Sequence, residues 1–223
     1  MSLPSSTSDG RGSLRILDLG RRPYREVWDL QRALVERVGA GDTPETLILV
    51  EHEPVVTIGR GLGLPDAEAE TRFPVLRVER GGGVTYHGPG QLVGYPIVRL
   101  DDRDVRGHLR RIENGLVALV ARYGLEGRAR EGLTGLWVGE RKVASIGVAV
   151  RRWVTWHGFA LNVSTDLAGF EGLSPCGLDA AVMTSLEALA GRTIPLAQVA
   201  GFAAEDLARA LGREPAARER GKA

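Results

Sequence analysis

Apolar and polar positions alternate with period two over Leu14-Arg15-Ile16-Leu17-Asp18-Leu19, which reads as a strand. The spacing turns helical from about Pro23, where Val27, Leu30, Leu34, Val35 and Val38 share one face. Leu47-Ile48-Leu49-Val50 and Val55-Val56-Thr57-Ile58 read as two strands around Glu51-His52-Glu53-Pro54. Another strand, 75–78, enters a glycine-rich stretch at 81–90, and a strand over 92–98 leaves it. Residues 104–123 carry Val105, Leu109, Ile112, Leu116, Leu119 and Tyr123 at helical spacing. Three strand-like runs follow, 134–138, 142–150 and 153–163, joined by Gly139-Glu140-Arg141 and Arg151-Arg152, so an antiparallel meander is predicted. Helices at about 179–190 and 195–211 complete the pattern, the former with Asp179 as N-cap and Gly191 as C-cap. Strands dominate the middle and helices flank them. The expected class is α+β, a mixed or mostly antiparallel sheet with flanking helices. One domain is expected over 13–213, between a disordered Ser/Gly/Thr-rich tail at 1–12 and a loose polar tail at 214–223.

A chain of 223 residues with 43% hydrophobic content can bury a sizeable core. Its formal net charge of +1 gives no strong field toward nucleic acid or membrane lipid, so any partner must be recognised by a local patch. Arg106, Arg110 and Arg111 on one helix, or Arg151 and Arg152 in the meander turn, are the candidates, against the commoner role of a solvated arginine face. No apolar run is long enough to span a bilayer, and Met1 to Gly10 lacks the pattern of a signal peptide. With a single cysteine as well, the cytoplasm is the expected compartment; a monomer is expected, though not from these features.

That cysteine, Cys176, lies in Ser174-Pro175-Cys176-Gly177-Leu178. It is either a small buried apolar residue or a reactive thiol. A restricting proline before it, a glycine after it and a helix expected just beyond favour the thiol. In Arg80-Gly81-Gly82-Gly83-Val84-Thr85-Tyr86-His87-Gly88-Pro89-Gly90-Gln91, the glycines let backbone approach a ligand and offer N–H groups to an anion or carbonyl, beside the fixed cation Arg80. The stretch is no P-loop, because no Gly-Lys-Ser/Thr follows, and Tyr86 stands where a dinucleotide fingerprint needs glycine. Lys142, just after a hairpin turn, is either an exposed edge residue or a desolvated lysine able to act as a base or stabilise a thiolate. His157 is either a core histidine or a pocket residue. The four histidines, His52, His87, His108 and His157, lack metal-ligand spacing, so no metal is expected.

Several blocks in order, LILVEHEPVVTIGR (47–60), RGGGVTYHGPGQLVGYPI (80–97), RKVASIG (141–147), WHGFALN (156–162) and Pro175-Cys176-Gly177, resemble the lipoyl(octanoyl) transferases, the octanoyl-[acyl-carrier-protein]:protein N-octanoyltransferases. The likeness covers about residues 14–210. It implies the fold of the catalytic domains of lipoate- and biotin-protein ligases, with a tunnel for an acyl chain. It implies Cys176 as nucleophile and Lys142 as its partner. Substrate-lining roles would fall to Arg80, Gly81, Gly82, Gly83, Val84, Thr85, Tyr86, His87, Ser145, Ile146, Gly147, His157, Gly158, Phe159 and Ala160. Octanoyl-acyl carrier protein would be the donor. The lipoyl domains of 2-oxoacid dehydrogenase E2 subunits and the glycine cleavage H protein would be the acceptors, with no cofactor.

Two-step nucleophilic catalysis of this kind predicts ping-pong kinetics. A cysteine of ordinary pKa, ~8.5, is only a few per cent thiolate near neutral pH, so a nearby cation must prime it. The lysine must then serve as cation first and base later, so the pair titrates as a unit. Backbone N–H groups near Gly177 or over Ser145-Ile146-Gly147 are the oxyanion candidates. Three alternatives stand beside this reading. They are an ATP-dependent lipoate ligase of the same fold, a Cys-His hydrolase using His157 or His87, and a non-catalytic module that docks an acyl carrier.

Overall fold

A computed structural model describes residues 12–61, 71–173 and 179–221. The first strand, β1 (Ser13–Arg22), leads through helix α1 (Tyr24–Ala40) to β2 (Thr46–His52), which pairs parallel to β1. Proline at 23 starts α1 with its fixed φ, and Gly41 ends it in the left-handed region at φ +83°. Val27, Leu34, Val35 and Val38 of α1 are buried, as the spacing predicted.

Two sheets follow. The small one orders β4 (Val75–Arg77), β3 (Val55–Ile58) and β5 (Val84–His87), with β3 parallel to β4 and antiparallel to β5. In the large sheet, β6 (Gln91–Ile97) pairs antiparallel with β2 and with β10 (Val154–Asn162). Beyond β10 come β9 (Arg141–Arg151), β8 (Leu133–Val138) and β7 (Gly127–Arg130), each antiparallel to its neighbour. The meander predicted from sequence is thus present. Arg152 and Trp153 both take positive φ, 50° and 63°, at the two-residue β9–β10 turn, the backbone such a turn requires.

Helix α2 (Val105–Ala121), capped by Asp104 Oδ1 accepting from Gly107 N (2.8 Å), and helix α4 (Leu196–Ala210) cover one face of the large sheet. Leu47, Leu49, Leu92, Phe159, Leu161 and Ile146 point into that layer. Helix α1 covers the other face against Ile48, Val50, Val93, Tyr95 and Ala160. The residue alternation of each strand therefore divides two cores. Among the described residues no helix is long and apolar enough to cross a membrane.

The structure departs from the sequence expectation at three places. The helix expected over 179–190 is broken. Asp179 caps only a single 3-10 turn, Ala180–Val182; Met183 and Thr184 are extended, and Ser185 caps a new short helix, α3 (Leu186–Ala190), ended by Gly191 as expected. The break has a tertiary cause: Met183 pairs with Lys142, and the Thr184 N–H donates to the Lys142 carbonyl (3.0 Å). Residues 214–220, expected loose, form β11 (Glu214–Arg220), parallel to β1 at the sheet edge. Arg218–Asp18 (2.5 Å) and Arg15–Glu219 (2.6 Å) ion pairs hold it there. Polar edge strands such as β7 and β11 carry no apolar alternation to read. Finally, β5 lies inside the glycine-rich stretch. The expectation for 1–12 lies, apart from Gly12, outside the described residues.

Candidate active site

Lys142 enters β9 through a β-bulge. Leu136 of β8 pairs with Ala144, but Trp137 pairs with Lys142, so Val143 is the extra residue. Val143 and Ala144 both enter the core beneath α2 and α4. Lys142 thereby emerges on the opposite face, shared with Ser145 and Gly147. Its side chain is buried, at 1% exposure, with Nζ 5.7 Å from the Trp137 ring centre. Lys142 is thus buried and is not an exposed edge residue. The side chain runs across Gly135: a Cβ there would lie 2.7 Å from Lys142 Cε and 2.4 Å from the Ala144 carbonyl oxygen, at φ +139°. Only glycine leaves the lysine that path.

On this face, between the large sheet, the small sheet and the start of α1, is a narrow cavity of about 30 Å³. It is lined by Arg80, Thr85 and His87 from the small-sheet side, and by Ser145, Ile146 and Gly147 from β9. His157, Gly158, Phe159 and Ala160 come from β10. These ten were all expected from the sequence. Gly81, Gly82, Gly83, Val84 and Tyr86 were expected too but do not line it. In β5, Thr85 and His87 face the cavity, so Val84 and Tyr86 face away, where Tyr86 packs on Phe73 and Phe170. Of the donors anticipated here, one is taken within the fold. The Gly81 N–H donates to the Val148 carbonyl (2.9 Å), and the Gly82 and Gly83 carbonyls accept from Gly61 and Gly59. Their part is close approach: a Cβ at Gly147 would meet Gly81 O at 2.7 Å. Tyr24, Val93 and Tyr95 also line the cavity. Nothing marked them in the sequence, since they look like core positions of a helix and a strand.

Arg80 is buried and shapes this wall. Its guanidinium donates to the carbonyls of Gly81 (3.1 Å), Gly83 (2.8 Å) and Thr57 (2.8 Å) and to Thr57 Oγ1 (2.8 Å). His157 has a left-handed backbone, φ +55°. The register sets it opposite Pro96, which has no N–H to donate, and β6–β10 pairing resumes only at Phe159–Gly94. The His157 N–H is taken instead by Gln31 Oε1 from α1 (2.8 Å). Such a conformation costs about 1–2 kcal/mol in a non-glycine residue, and it turns the ring into the cavity wall.

The cavity histidines are held neutral. Burial drives His157 down to about 3, with the Arg80 and Arg60 charges adding to it, and takes His52 down to about 4. His87 is held well below its ordinary value by burial, then by His52 and Arg80. Burial pushes Tyr24 up to about 12 and Tyr95 well above its usual range. His52 Nδ1–H donates to the Arg22 carbonyl (3.0 Å), leaving Nε2 to accept from the Tyr95 hydroxyl (2.8 Å). The histidines and tyrosines of the wall thus add no charge to the slot, whose fixed charge is the Arg80 guanidinium. Cys176 and its neighbours 174–178 lie outside the described residues.

The profile of the family described as "Lipoyl protein ligase A/B catalytic domain" matches residues 23–208. An octanoyltransferase of Syntrophotalea carbinolica is 50% identical over 188 residues, covering 83% of this chain and 89% of its own. Another, from Geobacter metallireducens, is 47% identical, covering 83% and 88%. Among solved structures, lipoate-protein ligase A bound with ATP superposes with a TM-score of 0.69 at 18% identity, covering 95% of this chain and 90% of that one. The apo biotin protein ligase of Aquifex aeolicus does so at 0.51 and 10% identity, covering 89% and 69%. At such identities the two ligases share the fold alone.

Proposed function

The chain belongs to the lipoyl protein ligase A/B catalytic domain family, and from that membership we propose that it transfers an octanoyl or lipoyl group from acyl carrier protein to a lysine of lipoyl domains, through a thioester on Cys176. The observation that carries this reading is Lys142, buried and turned by the bulge onto the cavity face, where its backbone pairs with Met183. Cys176 lies in the chain between β10 and that pairing.

The Cys176 thiolate attacks the donor's thioester carbonyl, and the bond to the phosphopantetheine sulfur breaks. The leaving thiolate takes a proton from the Lys142 ammonium, leaving acyl-enzyme, free carrier thiol and a neutral Lys142 amine. The acceptor lysine arrives as an ammonium. Lys142 takes one of its protons and solvent takes a second as the amide forms, and Cys176 leaves again as thiolate beside a Lys142 ammonium. The octanoyl chain occupies the slot lined by Ala160, Phe159 and Val93. A histidine base is a poor alternative, because His87 and His157 have pKa values far below neutral pH and accept protons weakly there.

Intact-protein mass spectrometry tests the proposal. Wild type mixed with octanoyl-acyl carrier protein, without acceptor or ATP, gains one octanoyl group, and Cys176→Ala gains none. Adding a lipoyl domain discharges the group onto a lysine. Acceptor modified only when ATP and free octanoate are supplied would overturn the transferase reading in favour of a ligase.

A further inference from the structure

A single directional line of hydrogen bonds joins the cavity wall to Lys142. Arg80 donates to Thr57 Oγ1 (2.8 Å), and the Thr57 hydroxyl donates to His87 Nε2 (3.3 Å). His87 Nδ1–H donates to Gln91 Oε1 (2.8 Å). Gln91 Nε2 donates to the Tyr86 carbonyl (3.1 Å) and to Asn162 Oδ1 (2.9 Å). Asn162 Nδ2 donates to the Thr184 carbonyl (3.0 Å), and the Thr184 N–H donates to the Lys142 carbonyl (3.0 Å). The direction is fixed by chemistry. The nitrogen end of Gln91 meets two acceptors, so its oxygen meets His87, whose Nδ1 must then carry the proton. Gln91 and Asn162 are each 1% exposed, so bulk water cannot replace a lost bond.

Asn162 occupies the pivotal place in this line. It is the last residue of β10, where the chain departs on the excursion that includes Cys176 and returns at Met183–Thr184. The neck of that excursion is closed by Asn162 to Thr184, by the Glu187 N–H donating to the Val163 carbonyl (3.0 Å), and by Arg141 donating to the Met183 carbonyl (3.0 Å). Asn162 alone of these also couples the neck to the cavity wall through Gln91.

We propose that Asn162 is a positioning residue for acyl transfer, holding the returning strand against the backbone of Lys142 so that Lys142, the proposed partner of Cys176, keeps its place. The inference rests on the reading of those two residues as the reacting pair. Its consequence is kinetic: a displacement of about 1 Å between reacting groups costs on the order of 10²-fold in rate.

The experiment compares wild type, Asn162→Ala and Asn162→Asp in octanoyl transfer from carrier protein to lipoyl domain, together with the pH profile of iodoacetamide alkylation of Cys176, the chain's only thiol. Asn162→Ala should lose about 10²-fold in kcat with little change in KM, and the alkylation profile should move to higher pH as the thiolate loses its cation. Asn162→Asp is isosteric. Protonated, it donates to Thr184 and accepts from Gln91; ionised, it sets a carboxylate against the Thr184 carbonyl. Its activity relative to wild type should therefore fall as pH rises, which a merely space-filling role would not produce. If Asn162→Ala does not fold, that ratio decides alone. Wild-type kcat and an unmoved alkylation profile in Asn162→Ala, or a pH-independent ratio for Asn162→Asp, overturns the inference. Failure of wild type itself to take up octanoyl would instead overturn the transferase reading on which it rests.

Discussion

His108 offers a measurable link between burial and acid sensitivity. It sits on α2 with no exposed surface, and neither ring nitrogen has a partner among the described residues. Burial lowers its pKa to about 4; the Arg111 and Arg213 charges push the same way and Asp102 opposes them. In the unfolded chain an ordinary histidine titrates near 6.5. The folded state therefore binds fewer protons than the unfolded state between those values. The stability tied to His108 is complete above about pH 6.5 and drains away as pH falls toward 4. Between about pH 7.5 and pH 5 the loss from this one group, with its folded value near 4, is about 2 kcal/mol. His108→Leu keeps the site apolar, close in volume and helical. Urea unfolding followed by tryptophan fluorescence at several pH values should give the variant a stability curve shallower than wild type by about 1.2 kcal/mol per pH unit near pH 5. Parallel curves for the two proteins would refute the claim that the fold holds this ring neutral.

Other expected outcomes address the site. Lys142→Ala and Cys176→Ala should each abolish octanoyl transfer to a lipoyl domain, with folding checked by circular dichroism. Gly135→Ala sets a Cβ 2.7 Å from Lys142 Cε and 2.4 Å from backbone, so it should lower kcat at least ~10-fold and also lower the urea midpoint. Tyr95→Phe strips His52 Nε2 of its donor in a fully buried place and should cost about 1–3 kcal/mol in urea unfolding. Replacing Arg152-Trp153 by Asn-Gly relieves two left-handed non-glycine residues and should raise stability by about 1 kcal/mol in the same assay.

Most of the architecture was legible because buried elements must repeat with their own period. The strands β2, β3, β6, β8, β9 and β10 and the helices α1, α2 and α4 all fall where the apolar spacing put them. The site was legible as chemistry but not as orientation. Arg80 and His87 stood out by type and setting, yet whether β5 turns Thr85 or Tyr86 inward depends on which face of the small sheet meets the cavity. Lys142 is the sharpest case. Plain alternation with the core residue Ala144 would send it toward α2 and α4, and only the bulge at Val143, a tertiary event, reverses it. Tyr24 and Tyr95 were silent because a tyrosine that lines a slot and one that fills a core look alike in sequence.

The pairing of β11 with β1 bears on how the molecule is assembled. Arg15 and Glu219 meet across that edge although 204 residues separate them. Their ladder closes one of the longest loops in the chain, and loop closure of that order is paid in entropy before it is rewarded. As the chain emerges from the ribosome, β1 and β2 can pair long before β11 exists. Through most of synthesis the far edge of β1 is therefore an uncovered row of N–H and C=O groups, open to pairing with another chain. The charged residues of β11, a weak strand by composition, close that edge last.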